Sequence, residues 1–87
     1  MSQQSKNTLI SEYKKALDAA EVARDRARVE ESVARKTKER ECSDLLHGHC
    51  QTAMAARRAH EYAVTILKRR EADYDRAKQK YDAACNL

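Results

Sequence analysis

The sequence predicts an all-α fold: an antiparallel two-helix coiled-coil hairpin that pairs with a second copy into a four-helix bundle. Three observations lead there. Ala, Glu, Lys, Leu and Arg make up 47 of the 87 residues, with one Gly and no Pro, Trp or Phe, the composition of long helices. Apolar residues recur at three- and four-residue spacing in both halves of the chain. The single Gly, Gly48, stands near the midpoint, where one helix can end and the chain reverse. Strand formers are scattered singly, so no alternating run supports a sheet.

The first element is expected as a helix over residues 5–47. Its stripe is built from Leu9, Ile10, Tyr13, Ala16, Leu17, Ala20, Ala23, Ala27 and Ala34, flanked by Val22, Val29 and Val33. Most of these side chains are small, so the face can approach a neighbour closely but buries little area. Residues 35–41, Arg-Lys-Thr-Lys-Glu-Arg-Glu, carry no apolar side chain and read as solvated helical turns before Cys42, Leu45 and Leu46 resume the pattern.

The turn follows near Gly48, after Leu45-Leu46-His47. Thr52 can then cap a second helix over residues 52–85 through its hydroxyl, although no Glu or Gln stands three residues on to complete a capping box. That helix has the cleaner heptad. Ala53, His60, Leu67, Tyr74 and Tyr81 occupy a, and Ala56, Ala63, Arg70, Ala77 and Ala84 occupy d; only His60 and Arg70 are polar. Arg70 is expected to snorkel to the seam edge, while His60 could instead help set register.

Folding at Gly48 sets residue i opposite roughly residue 96 − i. The register places Tyr81 beside Ala16, Tyr74 near Val22 and Ala23, Tyr62 near Ala34, and Tyr13 near Ala83 and Ala84, so all four tyrosines are expected to face small residues. The folded chain should be about 60 Å long, half the roughly 120 Å of one uninterrupted helix at 1.5 Å per residue.

Size and composition also bound function. The chain holds one domain, residues 1–87, and its Leu, Ile and Val total only 12 residues, too few to wall an enzyme pocket. A non-enzymatic protein without cofactor is expected. A seam of alanines gains little at roughly 25 cal/mol per Å² against the entropy of ordering, so self-association into a dimer or a protein partner is expected to complete the fold. A polar start and the absence of any run of roughly 20 apolar residues predict a cytoplasmic protein with no membrane contact.

Two clusters could carry chemistry. Cys42, His47, His49 and Cys50 are ligand types suited to zinc, yet His49 and Cys50 are direct neighbours that converge poorly on one ion, so no metal site is expected and the group reads as a polar turn. A disulfide between Cys42 and Cys50, or between chains through Cys85, depends on Cα separations that a sequence does not contain. The second cluster is basic. Arg35, Lys36, Lys38 and Arg40 fall near Arg57 and Arg58 in the hairpin, and these six residues are the expected partner-binding site. The partner is expected to be a protein, bound as by an adaptor, chaperone or inhibitor; RNA or DNA is the alternative, since phosphates attract such patches, and a structural coiled-coil subunit of a larger assembly is a third reading. Acidic residues interleaved along the chain argue for the ordinary solvated surface of a long helix, with i,i+4 pairs such as Glu31 with Arg35 and Lys78 with Asp82.

Overall fold

The computed structural model describes residues 3–42 and 51–87. Two helices, α1 (Gln3–Cys42) and α2 (Gln51–Cys85), pack against each other along their lengths as an all-α hairpin 68 Å long and about 15 Å across. The expected turn at Gly48, with His47, His49 and Cys50, lies outside the described residues.

The helices meet along a heptad seam. On α2 the a and d positions from Ala53 to Ala84 are buried or half-buried, except Arg70. Arg70 reaches the edge as its length and charge predict, and its Nη1 lies 3.5 Å from Asp73. On α1 the seam runs Lys6, Ile10, Tyr13, Leu17, Ala20, Arg24, Ala27, Glu31, Ala34, Lys38 and Glu41, alternating steps of three and four, and every member is buried or half-buried. The polar run 35–41 is therefore continuous helix that keeps the heptad without apolar side chains. Counting only apolar residues hides this register, because Arg24, Glu31, Lys38 and Glu41 hold seam positions.

Among the described residues, the buried core is one leucine and four alanines: Leu17, Ala27, Ala53, Ala56 and Ala84. So little volume leaves room for half-buried polar pairs between the apolar layers. Glu31 and His60 meet across the seam at 3.0 Å. Arg24 lays its guanidinium 4.1 Å from the centre of the Tyr74 ring, and Lys14 stands 5.7 Å from that of Tyr81. The paired positions sum to between 91 and 98, so residue i stands level with roughly residue 95 − i.

Two expectations about the seam need correction. Tyr62 does not pack against Ala34: it occupies a c position, on the outside of α2, and is 70% exposed. The neighbour that covers Tyr74 is Arg24, whereas Val22 points away and is 60% exposed. In each case a longer polar side chain at the seam, or a one-position shift around the helix, outweighs simple large-against-small matching.

Candidate functional site

The expected basic site gathers at the end of the hairpin nearer residues 43–50, spread around its circumference. Arg35 and Arg57 stand at e, Lys36 and Arg58 at f, the outermost position, and Arg40 at c; all five are exposed. Lys38 is a half-buried seam residue. Arg40 Nε lies 3.7 Å from Glu41. Arg58 borders a shallow hollow with Gln51, Met54 and Ala55. Thus one end of the hairpin carries six cations, five presented to solvent in three directions.

Charge that interleaves along the chain separates into stripes on the folded surface. The outward c and f positions of both helices carry Lys15, Arg26, Lys36, Arg40, Arg58, Arg69 and Arg76, against one acid, Glu12. Acids gather instead at b: Asp18, Asp25, Glu39, Glu61, Asp75 and Asp82. Seven residues correspond to two helical turns, so each heptad letter becomes a line along the surface. Four of these outward cations, Lys15, Arg26, Arg69 and Arg76, lie outside the expected site, and sorting charges by heptad position is what sets them on outward lines.

The two broad faces of the hairpin differ. In an antiparallel pair, e positions face e and g positions face g, which puts both b stripes on one side and both c stripes on the other. Arg28 and Glu71, both at e, lie 4.0 Å apart. The same e/b side holds Lys14 with Asp18 at 3.2 Å and Arg24 with Asp25 at 3.2 Å, and on the other side Arg76 Nη2 lies 2.6 Å from Asp73. Glu31 takes His60 rather than the expected Arg35, because a half-buried carboxylate gains more from a seam partner than from an exposed one. Lys78 and Asp82 form no ion pair among the described residues.

The g/c side is built of small side chains. Ala16 and Ala77 border one open hollow with Tyr13, Asp73, Arg76 and Lys80. Ala23 and Ala27 border another with Arg26, Glu30, Ile66 and Arg70. These are grooves in a two-helix surface, open along one side. Apolar side chains are also uncovered on the outer surface of α1, where Val22, Val29 and Val33 are 60%, 63% and 58% exposed along one stripe.

Among the described residues no group of three or more His, Cys, Asp or Glu could hold a metal ion. The Cys42, His47, His49 and Cys50 cluster lies outside what the structure describes: Cys42 contributes backbone to α1, but its side chain is not described. Cys85 is a free, exposed thiol close to Tyr81, whose phenol is pushed above its ordinary value first by hydrogen bonding with that thiol. Among the described residues, no helix is long and apolar enough to cross a membrane. Comparison with known proteins finds no matching family, no similar curated protein and no similar solved structure.

Proposed function

We propose that this chain is a non-enzymatic, cytoplasmic helical hairpin that self-associates into a dimeric four-helix bundle and binds a partner protein through a helix face, as an adaptor, chaperone or inhibitor. The observation that carries the reading is the mismatch between its core and its surface. Among the described residues one leucine and four alanines are buried, while Val22, Val29, Val33, Met54 and Tyr62 stand in solvent. β-branched side chains aligned on one exposed stripe favour docking against another apolar surface. Two binding surfaces are available for two roles: the groove-bearing g/c side, and the valine stripe on the outer side of α1.

The test combines sedimentation with capture. The chain should sediment as a dimer at tens of micromolar, a concentration suited to weak association. Immobilised chain should retain a protein from its host lysate, and Val22→Ser with Val29→Ser should lose that protein while keeping the dimer. Retention unaffected by the double substitution would remove the valine stripe from the reading.

A second reading is favoured by one specific observation, the seven cations against a single acid at the outward positions. Such a surface suits RNA or DNA phosphates, whose binding weakens steeply with salt through counterion release. Apolar docking does not. Binding to a mixed-sequence RNA that persists at physiological salt and falls by orders of magnitude on raising it would favour this reading over the first.

A further inference from the structure

The middle of the g/c side carries an unusual combination. Arg26, Glu30, Tyr62 and Arg69 are all exposed there, and Ile66 sits half-buried among them. Among the described residues, Arg26, Glu30 and Arg69 form no ion pair within the chain and Tyr62 makes no ring contact, whereas farther along the same side Arg76 is paired with Asp73 at 2.6 Å. Arg26 and Glu30 lie one turn apart on α1, and Tyr62 and Arg69 two turns apart on α2. The midpoint of the first pair is level with that of the second to within about two residues, or roughly 3 Å along the axis.

That coincidence has a symmetry meaning. A two-fold axis lying in this face, perpendicular to the helices and passing through the shared midpoint, exchanges Arg26 with Glu30 and Tyr62 with Arg69, and leaves Ile66 close to itself. We infer that the g/c side seats a second copy of this chain, laid antiparallel, with Ile66 at the two-fold axis, Arg26 against the partner's Glu30, and Tyr62 against the partner's Arg69. The inference rests on the self-association proposed above and names its surface and geometry. Each of the two contacts occurs twice by symmetry, as in isologous interfaces generally. A guanidinium over an exposed tyrosine ring is a favourable pair, already made once within the chain by Arg24 and Tyr74.

Charge selects this arrangement over its alternative. A two-fold axis parallel to the helices would set Arg26 level with the partner's Arg69, juxtaposing like charges twice. In the perpendicular arrangement, Arg76 and Arg40 fall over the partner's alanines, and Ala23 falls over the partner's Val33, so no like charges meet. The axis lies near the middle of the hairpin, so the copies overlap over most of their length. An overlap of roughly 55 Å on faces about 15 Å across covers roughly 800 Å² per copy, the size of a standard stable interface.

The experiment uses the full chain with Cys42→Ser, Cys50→Ser and Cys85→Ser, into which Ile66→Cys or Lys68→Cys is placed. Lys68 is near the same level but on the e/b side. Under mild oxidation Ile66→Cys should link into covalent dimers at least about tenfold faster than Lys68→Cys, because only the former lies on the axis. Independently, Arg26→Glu should weaken the dimer about tenfold or more, and adding Glu30→Arg should restore it, with helicity monitored throughout. A dimer by sedimentation in which Lys68→Cys links faster, or in which the charge swap gives no rescue, overturns this surface while leaving self-association standing. A chain that stays monomeric at about 100 μM overturns both.

Discussion

Glu31 Oε1 accepts a hydrogen bond from His60 Nε2 at 3.0 Å across the helix seam, with both side chains 16% exposed. The two residues occupy a positions on opposite helices, where an apolar pair would add more buried area. Their value is that of a matched pair. Removing one partner strands the other in a half-dry site, which costs about 1–3 kcal/mol. Glu31→Ala and His60→Ala should each lower the melting temperature clearly, while Glu31→Ala combined with His60→Leu should recover much of the loss. A double-mutant cycle by thermal melts measures the coupling, and additive losses would mean that the two side chains act separately.

Tyr74 and Arg24 form the second polar layer. Tyr74 is half-buried, so Tyr74→Ala should cost about 2 kcal/mol, below the 3–5 kcal/mol typical of a fully buried aromatic. Arg24→Ala should cost about 1 kcal/mol through the lost stacking on the ring. Arg28→Ala, which removes only a 4.0 Å ion pair with Glu71 at the surface, should cost about 0.5 kcal/mol or less. Chemical denaturation ranks the three, and equal losses would contradict the seam.

The end of the hairpin near residues 14 and 81 should respond to alkali. Tyr81 is held above its ordinary value of 10.0 by hydrogen bonding with Cys85, the electrostatics of the same thiol and desolvation, and Lys14 above 10.5 chiefly by its hydrogen bond to Asp18. Both groups hold their protons more tightly folded than unfolded. Their stabilising contribution is therefore complete below about pH 10 and is lost as pH rises through the folded values. Melting temperature should be flat up to that pH and fall beyond it, and Tyr81→Phe should lessen the fall. A decline setting in several pH units lower would assign the effect elsewhere.

Arg57 and Arg58 test the basic end. Both are exposed, at e and f, and neither is part of the buried core. Replacing both with Ser should leave helicity and oligomeric state nearly unchanged and weaken partner or nucleic-acid binding, mainly through a slower association rate. Circular dichroism, sedimentation and binding kinetics separate the possibilities. Unfolding would make the two arginines structural, and unchanged binding would move the contact to the valine stripe.

Much of the hairpin is legible in the residues themselves. Composition without Pro and with abundant Ala, Arg, Lys and Glu selects helix, because each of these residues loses little on entering one. The α2 heptad marks its buried stripe in advance, since d-position alanines and a-position tyrosines recur every seven residues and period determines which side faces a neighbour. The exposed placement of Arg70 follows from a long charged side chain at an apolar seam.

Other features were decided only when the two helices came together. On α1, Arg24, Glu31 and Lys38 look like surface residues, and their seam positions emerge because the heptad continues through them and the partner helix supplies a ring and an imidazole at the right levels. Tyr62 looks like core material and ends in solvent, because its position in the heptad, rather than its hydrophobicity, sets its direction. The placement of both acid-rich b stripes on one side and both c stripes on the groove-bearing side is likewise a property of antiparallel packing. Composition and spacing along one chain determine which residues share a line on a helix; only the register between two helices determines which lines lie side by side, and so which charges are satisfied and which remain to meet a partner.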